Sequence, residues 1–168
     1  MGKRKTLVIM LLVFMALSPA FAKAENRIIG AGPAVGGNSL RLSDVKAHVL
    51  ARPFSSDVMN PFVRLETGVE FGKDTFNWSG LDAGLGFEIF RSMWNPFSFA
   101  QSNPGPWSPA LYGGVNTDLR SLKWNIEFSP VRVLDRDYVY EWLGVFWNFD
   151  KDGLENWGVR LFRFSAMF

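Results

Sequence analysis

Trp157-Gly-Val-Arg-Leu-Phe-Arg-Phe-Ser-Ala-Met-Phe168 closes the chain. Read as a strand, it places Phe162, Phe164, Ala166 and Phe168 on one face and Leu161, Arg163, Ser165 and Met167 on the other. An aromatic face that runs to the last residue must lie against something apolar. The expected neighbour is lipid, with this strand closing a barrel by pairing with the first one.

Working back along the chain, the same period of two recurs in blocks of about ten residues, broken by Gly, Pro, Asn and Asp. Arg27 to Gly36 is a small-residue first strand, and Gly36-Gly37-Asn38 reads as its turn. Leu40 to Ala51 sets Val45, Ala47, Val49 and Ala51 against Asp44, Lys46 and His48. Phe62 to Phe71 sets Val63, Leu65, Thr67, Val69 and Phe71 against Arg64, Glu66, Gly68 and Glu70. Trp78 to Phe90 opposes Leu81, Ala83, Leu85, Phe87 and Ile89 to Asp82, Gly84, Gly86 and Glu88. Ala110 to Asp118 and Ser121 to Ser129 form a hairpin, the second strand opposing Leu122, Trp124, Ile126 and Phe128 to Lys123, Asn125 and Glu127. Tyr138 to Phe149 and Trp157 to Phe168 follow, separated by the turn Asp150-Lys-Asp-Gly153. Arg52 to Pro61, Arg91 to Pro109 and Pro130 to Asp137 read as connections. Eight strands result, an even number that brings both chain ends to one rim.

The first 22 residues read separately from this pattern. Lys3-Arg4-Lys5, an apolar run from Leu7 to Leu17 and Ala20-Phe21-Ala22 have the form of a cleaved secretory signal. The run is about 11 residues, against the roughly 20 that a spanning helix needs. The expected division is a signal peptide over residues 1–22 and one β-barrel domain over residues 23–168. Losing Lys3, Arg4 and Lys5 takes 18 basic residues to 15 against 16 acidic ones. A mature chain near neutral argues against nucleic acid as a partner. There is no Cys, so disulfides and thiolate chemistry are excluded.

Alternation alone also fits a soluble sandwich or barrel with the apolar face turned in. Three features favour lipid outside. The polar face mixes Gly with charge (Asp82, Gly84, Gly86, Glu88), as suits a narrow lumen that side chains fill. Aromatics gather at strand ends: Phe71, Phe76, Trp78, Phe90, Trp94, Trp107, Tyr138, Tyr140 and Trp157. The chain ends on Phe168. In these respects it resembles the small eight-stranded outer-membrane barrels of Gram-negative-type bacteria, the opacity-protein-like group. The resemblance implies an all-β, eight-stranded, antiparallel up-and-down transmembrane barrel. It also implies an outer-membrane location, with Phe164 and Phe168 serving as an assembly signal. The implied partners are outer-membrane lipid, periplasmic chaperones and barrel-assembly machinery, with a periplasmic or surface partner left open. With the termini periplasmic, the long Pro-bearing connections fall on the periplasmic side, which reverses the usual loop asymmetry.

The expected lumen face carries Asp44, Lys46, His48, Arg64, Glu66, Glu70, Asp82, Glu88, Lys123, Glu127 and Arg163. Mixed charges in a narrow interior must pair, so this set is expected to be a structural network plugging the barrel. No catalytic, metal or cofactor site is expected. His48 is the sole histidine, and Asp44 on its face is about 13 Å away along the strand. The lipid A deacylases that share this architecture use a His with a Ser two residues on, where this chain has Leu50. The expected role is structural or interactive in the outer membrane. The alternatives are a lipid-modifying enzyme, a narrow pore and a soluble periplasmic binding protein. Asn60-Pro-Phe62 and Asn95-Pro-Phe97, with Arg52-Pro-Phe54, repeat a short motif in which Pro ends a ladder and Phe anchors at an interface.

Overall fold

The computed structural model describes residues 28–38, 43–53, 60–72, 75–92, 106–134 and 137–168. All regular structure in them is strand: β1 Ile29–Asn38, β2 Asp44–Ala51, β3 Asn60–Phe71, β4 Phe76–Glu88, β5 Ala110–Thr117, β6 Leu122–Ser129, β7 Val131–Leu134, β8 Tyr138–Asp150 and β9 Gly153–Met167. The expected signal over residues 1–22, with Ala20 and Ala22, lies outside the described residues. So do Phe54, Trp94 and the 95–97 copy of the Asn-Pro-Phe motif.

All pairings are antiparallel, β1 pairs with β9, and β6 pairs with β8. The sheet therefore closes into a ring without an open edge. β7 continues β6 beyond Pro130. Both pair with β8 in one register, Phe128 opposite Val145 and Val131 opposite Trp142. Nine strands thus make eight staves, and the closed eight-stranded antiparallel barrel expected from the sequence is present. Both ends of the sheet, Ile29 and Met167, lie on one rim, where β2, β4 and β7 also end. At the other rim β1, β3, β5 and β8 end and β2, β4, β6 and β9 begin, and we call it the hairpin rim after the turns at 118–121 and 151–152.

The structure corrects three boundaries. Gly36-Gly37-Asn38 is strand, because the long β9 carries the ladder on, with Gly37 opposite Val159 and Asn38 opposite Gly158. The presumed connection after Pro130 holds β7, since β8 offers a paired edge that far down. The Pro-rich connection after β4 is also partly laddered. Trp107 bridges Ser92 on one side and Val133 on the other, and its indole Nε1 donates to the Pro130 carbonyl at 2.7 Å.

Faces follow the expected phase on β3 and β4. Arg64, Glu66, Asp82 and Glu88 are buried inside, while Val63, Leu65, Leu81, Leu85 and Phe87 are exposed outside. Three adjacent staves depart from strict alternation at one level. Pro130 and Val131, Trp142 and Leu143, and Leu161 and Phe162 are consecutive residues that all miss the interior. Pro130 has no N–H to donate, Leu143 opposite it takes a left-handed φ of 56°, and the ladder of β9 on β1 skips Leu161. Below and above this line the inward face is held by different parities. Arg160 and Arg163, three residues apart and on opposite faces of a regular strand, are both buried. Near the hairpin rim a second bulge at Gly68 uses Gly80 at a φ of 85°, which a β-carbon would strain.

The β1–β9 seam leaves no room for a side chain at Gly32. The ladder omits Gly32 and Pro33, and a β-carbon on Gly32 would meet the Phe164 carbonyl. Backbone hydrogen bonds between Ile29 and Phe168, at 2.7 and 3.3 Å, hold the seam at its end. Gly32→Ala is expected to lower stability by about 1–3 kcal/mol through overpacking, read as a lower urea midpoint of the folded barrel. An unchanged midpoint would mean the seam relaxes freely.

Candidate functional site

The lumen has three levels. At the rim that carries the chain ends, Leu50, Phe62, Ala110, Tyr112, Leu134, Val139 and Met167 form an apolar plug. Phe62 belongs to this plug, 2% exposed, so the Asn-Pro-Phe motif that opens β3 does not present its Phe to an interface. Arg132 lies beside the plug, 5.0 Å over the Phe62 ring. It donates to Glu88 at 2.9 Å and to Glu141 at 3.0 Å. Arg52 and Arg91 reach the same Glu88 at 3.3 and 2.8 Å.

The middle level is an ion-pair network centred on Arg163. Its guanidinium donates to Glu127 at 2.6 and 3.1 Å, to Glu66 at 3.0 Å and to Glu141. Arg64 donates to Glu127 at 2.8 Å and stacks 3.6 Å over the Tyr112 ring. Arg160 donates to Asp44 at 2.7 Å and Glu66 at 3.1 Å, and Lys46 stands 3.4 Å from Glu66. Planar forks suit this bridging, since one guanidinium can hold two or three carboxylates at once. Small residues on β1 leave the room: a β-carbon on Gly36 would meet Arg160.

The third level is a cavity of about 260 Å³ beneath the hairpin rim, walled by polar and charged side chains. Its mouth includes Glu70, Asp118 and Glu155, all exposed. Lys123 pairs with Glu155 at 2.6 Å there. Asp118 caps its own turn, accepting from the amides of Arg120 at 2.9 Å and Ser121 at 2.7 Å. Those hydrogen bonds, Arg120 foremost, hold its carboxyl below the usual carboxylate range.

Of the expected lumen set, Asp44, His48, Arg64, Glu66, Asp82, Glu88, Glu127 and Arg163 are buried, and Lys46 is half-buried. Glu70 and Lys123 differ: they stand at the mouth, because their strands end there, and Glu70 is exposed. Reading by period missed Arg132, Glu141 and Arg160, which the bulge line carries inside. It also misses Tyr112, while Asn125 and Ser165 fall on the expected inward faces of their strands without belonging to the expected network. Ser165 shares the face of Arg163, but its partner lies 117 residues away: His48 Nε2 is 2.7 Å from Ser165 Oγ. The bond crosses β1 above Gly32, which is paired to His48.

This supplies the hydroxyl that a histidine-based hydrolase needs, without its other parts. His48 and Ser165 are each 2% exposed. His48 Nδ1 has no hydrogen-bond partner among the described residues, so no carboxylate orients the ring. Among the described residues no group of three or more His, Asp or Glu could hold a metal ion. Phe164 faces outward in a cluster with Tyr138 and Tyr140, ring centroids 5.3–5.4 Å apart. Comparison with known proteins finds no matching family model, no similar curated protein and no similar solved structure.

Proposed function

We propose that this chain is an integral outer-membrane β-barrel, delivered by the signal sequence over residues 1–22. Its role there is structural or interactive rather than conductive. The observation that carries the reading is the inversion of the faces. A closed barrel turns Val63, Leu65, Leu85, Ile126 and Leu161 outward and encloses Arg64, Glu66, Glu127, Arg132 and Arg163. In water that arrangement forfeits the hydrophobic driving force; in lipid it satisfies every stave. Two aromatic belts support it. Phe76, Trp78, Trp124 and Trp157 lie toward the hairpin rim, and Phe90, Trp107, Tyr138 and Tyr140 toward the other. Such rings favour the level where acyl chains meet headgroups.

The apolar plug and the Arg163 network fill the lumen and argue against a solute path. With the chain ends in the periplasm, the short hairpins face outward, and adhesion through long extracellular loops is not the role. Lipid and the barrel-assembly machinery, which would read Phe164 and Phe168, are the partners this reading implies. The test is gel mobility with and without boiling, on protein taken from washed outer membranes. Unheated protein is expected to run as a folded species that shifts on boiling, and to give no conductance above leak in planar bilayers. Recovery of the chain in the soluble periplasmic fraction would refute the membrane assignment, and defined channel steps would refute the plugged lumen.

A further inference from the structure

The ion pairs of the lumen balance along its length and cease to balance at one end. Five cations, Lys46, Arg64, Arg132, Arg160 and Arg163, are joined to five carboxylates, Asp44, Glu66, Glu88, Glu127 and Glu141. Asp82 stands apart, toward the opposite rim, bound by the neutral side chains of Tyr112 and Asn125. Two more guanidinium groups join at the rim that carries the chain ends. Arg52 lies 3.3 Å and Arg91 2.8 Å from Glu88, a carboxylate that Arg132 already holds at 2.9 Å. Among the described residues no other carboxylate comes within ion-pair distance of Arg52 or Arg91. The pair is a surplus of two positive charges over the network. Both can be reached from outside, their side chains being 15% and 29% exposed.

The surroundings of the pair decide which anion suits it. Phe90, next to Arg91, is 45% exposed, and its ring meets Trp107 edge-on at 5.0 Å. Both rings belong to the aromatic belt of this rim, the level at which acyl chains give way to headgroups. The anion found at that level is a headgroup phosphate. A guanidinium fork matches two phosphate oxygens as it matches a carboxylate. Burial foremost, with Arg132 and Arg91 adding to it against Glu88, holds the Arg52 guanidinium below its usual range, so a further anion beside it is favourable. We infer that Arg52 and Arg91 bind the phosphate of an anionic glycerophospholipid, of the phosphatidylglycerol kind, in the leaflet at this rim. Its net negative charge offsets the surplus, which a zwitterionic headgroup carrying its own cation does not. The inference rests on the membrane reading above and adds to it a lipid class and a place.

Native mass spectrometry of the folded chain released from detergent micelles tests it, with phosphatidylglycerol or phosphatidylcholine added. The first phosphatidylglycerol is expected to bind about five times as tightly as the first phosphatidylcholine, the effect of one uncompensated basic residue at an anionic surface. Arg52→Gln with Arg91→Gln is expected to remove the difference. Because the five-to-five network keeps its balance, that double variant is expected to keep its mobility shift on boiling. Should it lose the shift, Arg91→Gln alone, at the more open position, is expected to lower the preference by about half. Arg120→Gln with Lys151→Gln removes the same charge from exposed positions on the hairpin rim and is expected to change nothing. Excess inorganic phosphate is expected to leave the bound lipid in place. Equal affinity for the two lipids, a preference that survives the changes at Arg52 and Arg91, an equal loss from the changes at Arg120 and Lys151, or displacement by inorganic phosphate would each overturn the assignment and leave the membrane reading standing. An unaltered chain that does not shift on boiling would overturn both.

Discussion

Arg163→Met is expected to destabilise the folded barrel by about 3–5 kcal/mol, the usual result of removing one partner from a buried ionic cluster. Arg163 is 1% exposed and is shared by Glu66, Glu127 and Glu141. Each of those carboxylates keeps a second cation, Arg160, Arg64 and Arg132 respectively. None becomes wholly unpaired, but three negative groups are left close together with their common positive centre gone. The second half of the test is a cycle. Glu127→Gln added to Arg163→Met removes one of the repelling charges and is expected to recover part of the loss. Urea unfolding in lipid vesicles, followed by tryptophan emission, measures both. A loss under about 1 kcal/mol for the single change would mean that the cluster is solvated and that the lumen is not a plug.

Leu65→Arg is expected to cost about 2–4 kcal/mol when the barrel is folded in a bilayer, the range found for a cation near the midplane on a lipid-facing strand. Leu65 sits midway along β3, opposite Ala83 of β4, and is 46% exposed on the outer face. For a water-facing position the same change belongs among surface substitutions, within about 0.5 kcal/mol. The comparison within one molecule is Leu119→Arg. Leu119 is 82% exposed at the tip of the 118–121 hairpin, beyond the proposed membrane band, and the change there is expected to stay within about 0.5 kcal/mol. The difference between the two, taken from urea midpoints in the same vesicles, isolates what the outer wall touches. Equal small effects at both sites would place Leu65 in water and end the membrane reading, leaving the barrel itself intact.

The sequence by itself determined the staves and most of their faces. Alternation on 62–71, 78–90 and 121–129 carries its own phase, and Pro, Gly and Asp mark the breaks. Eight staves and the enclosed Arg64, Glu66, Asp82 and Glu127 were therefore legible before any pairing was known. Only the tertiary structure decided where the inward face changes parity on the last three staves. A single bulge inverts the face of every residue beyond it, and period two contains no signal for where the bulge falls. Pro130, the left-handed Leu143 and the skipped Leu161 align only once the strands are side by side, and that alignment puts Arg132, Glu141 and Arg160 in the lumen. Partnership was equally hidden. Arg163 and Glu66 are 97 residues apart, and His48 and Ser165 are 117 apart. Such pairs are set by closing the ring and by the small residues of β1 that let side chains cross it, because local sequence specifies a strand's faces and closure specifies its neighbours.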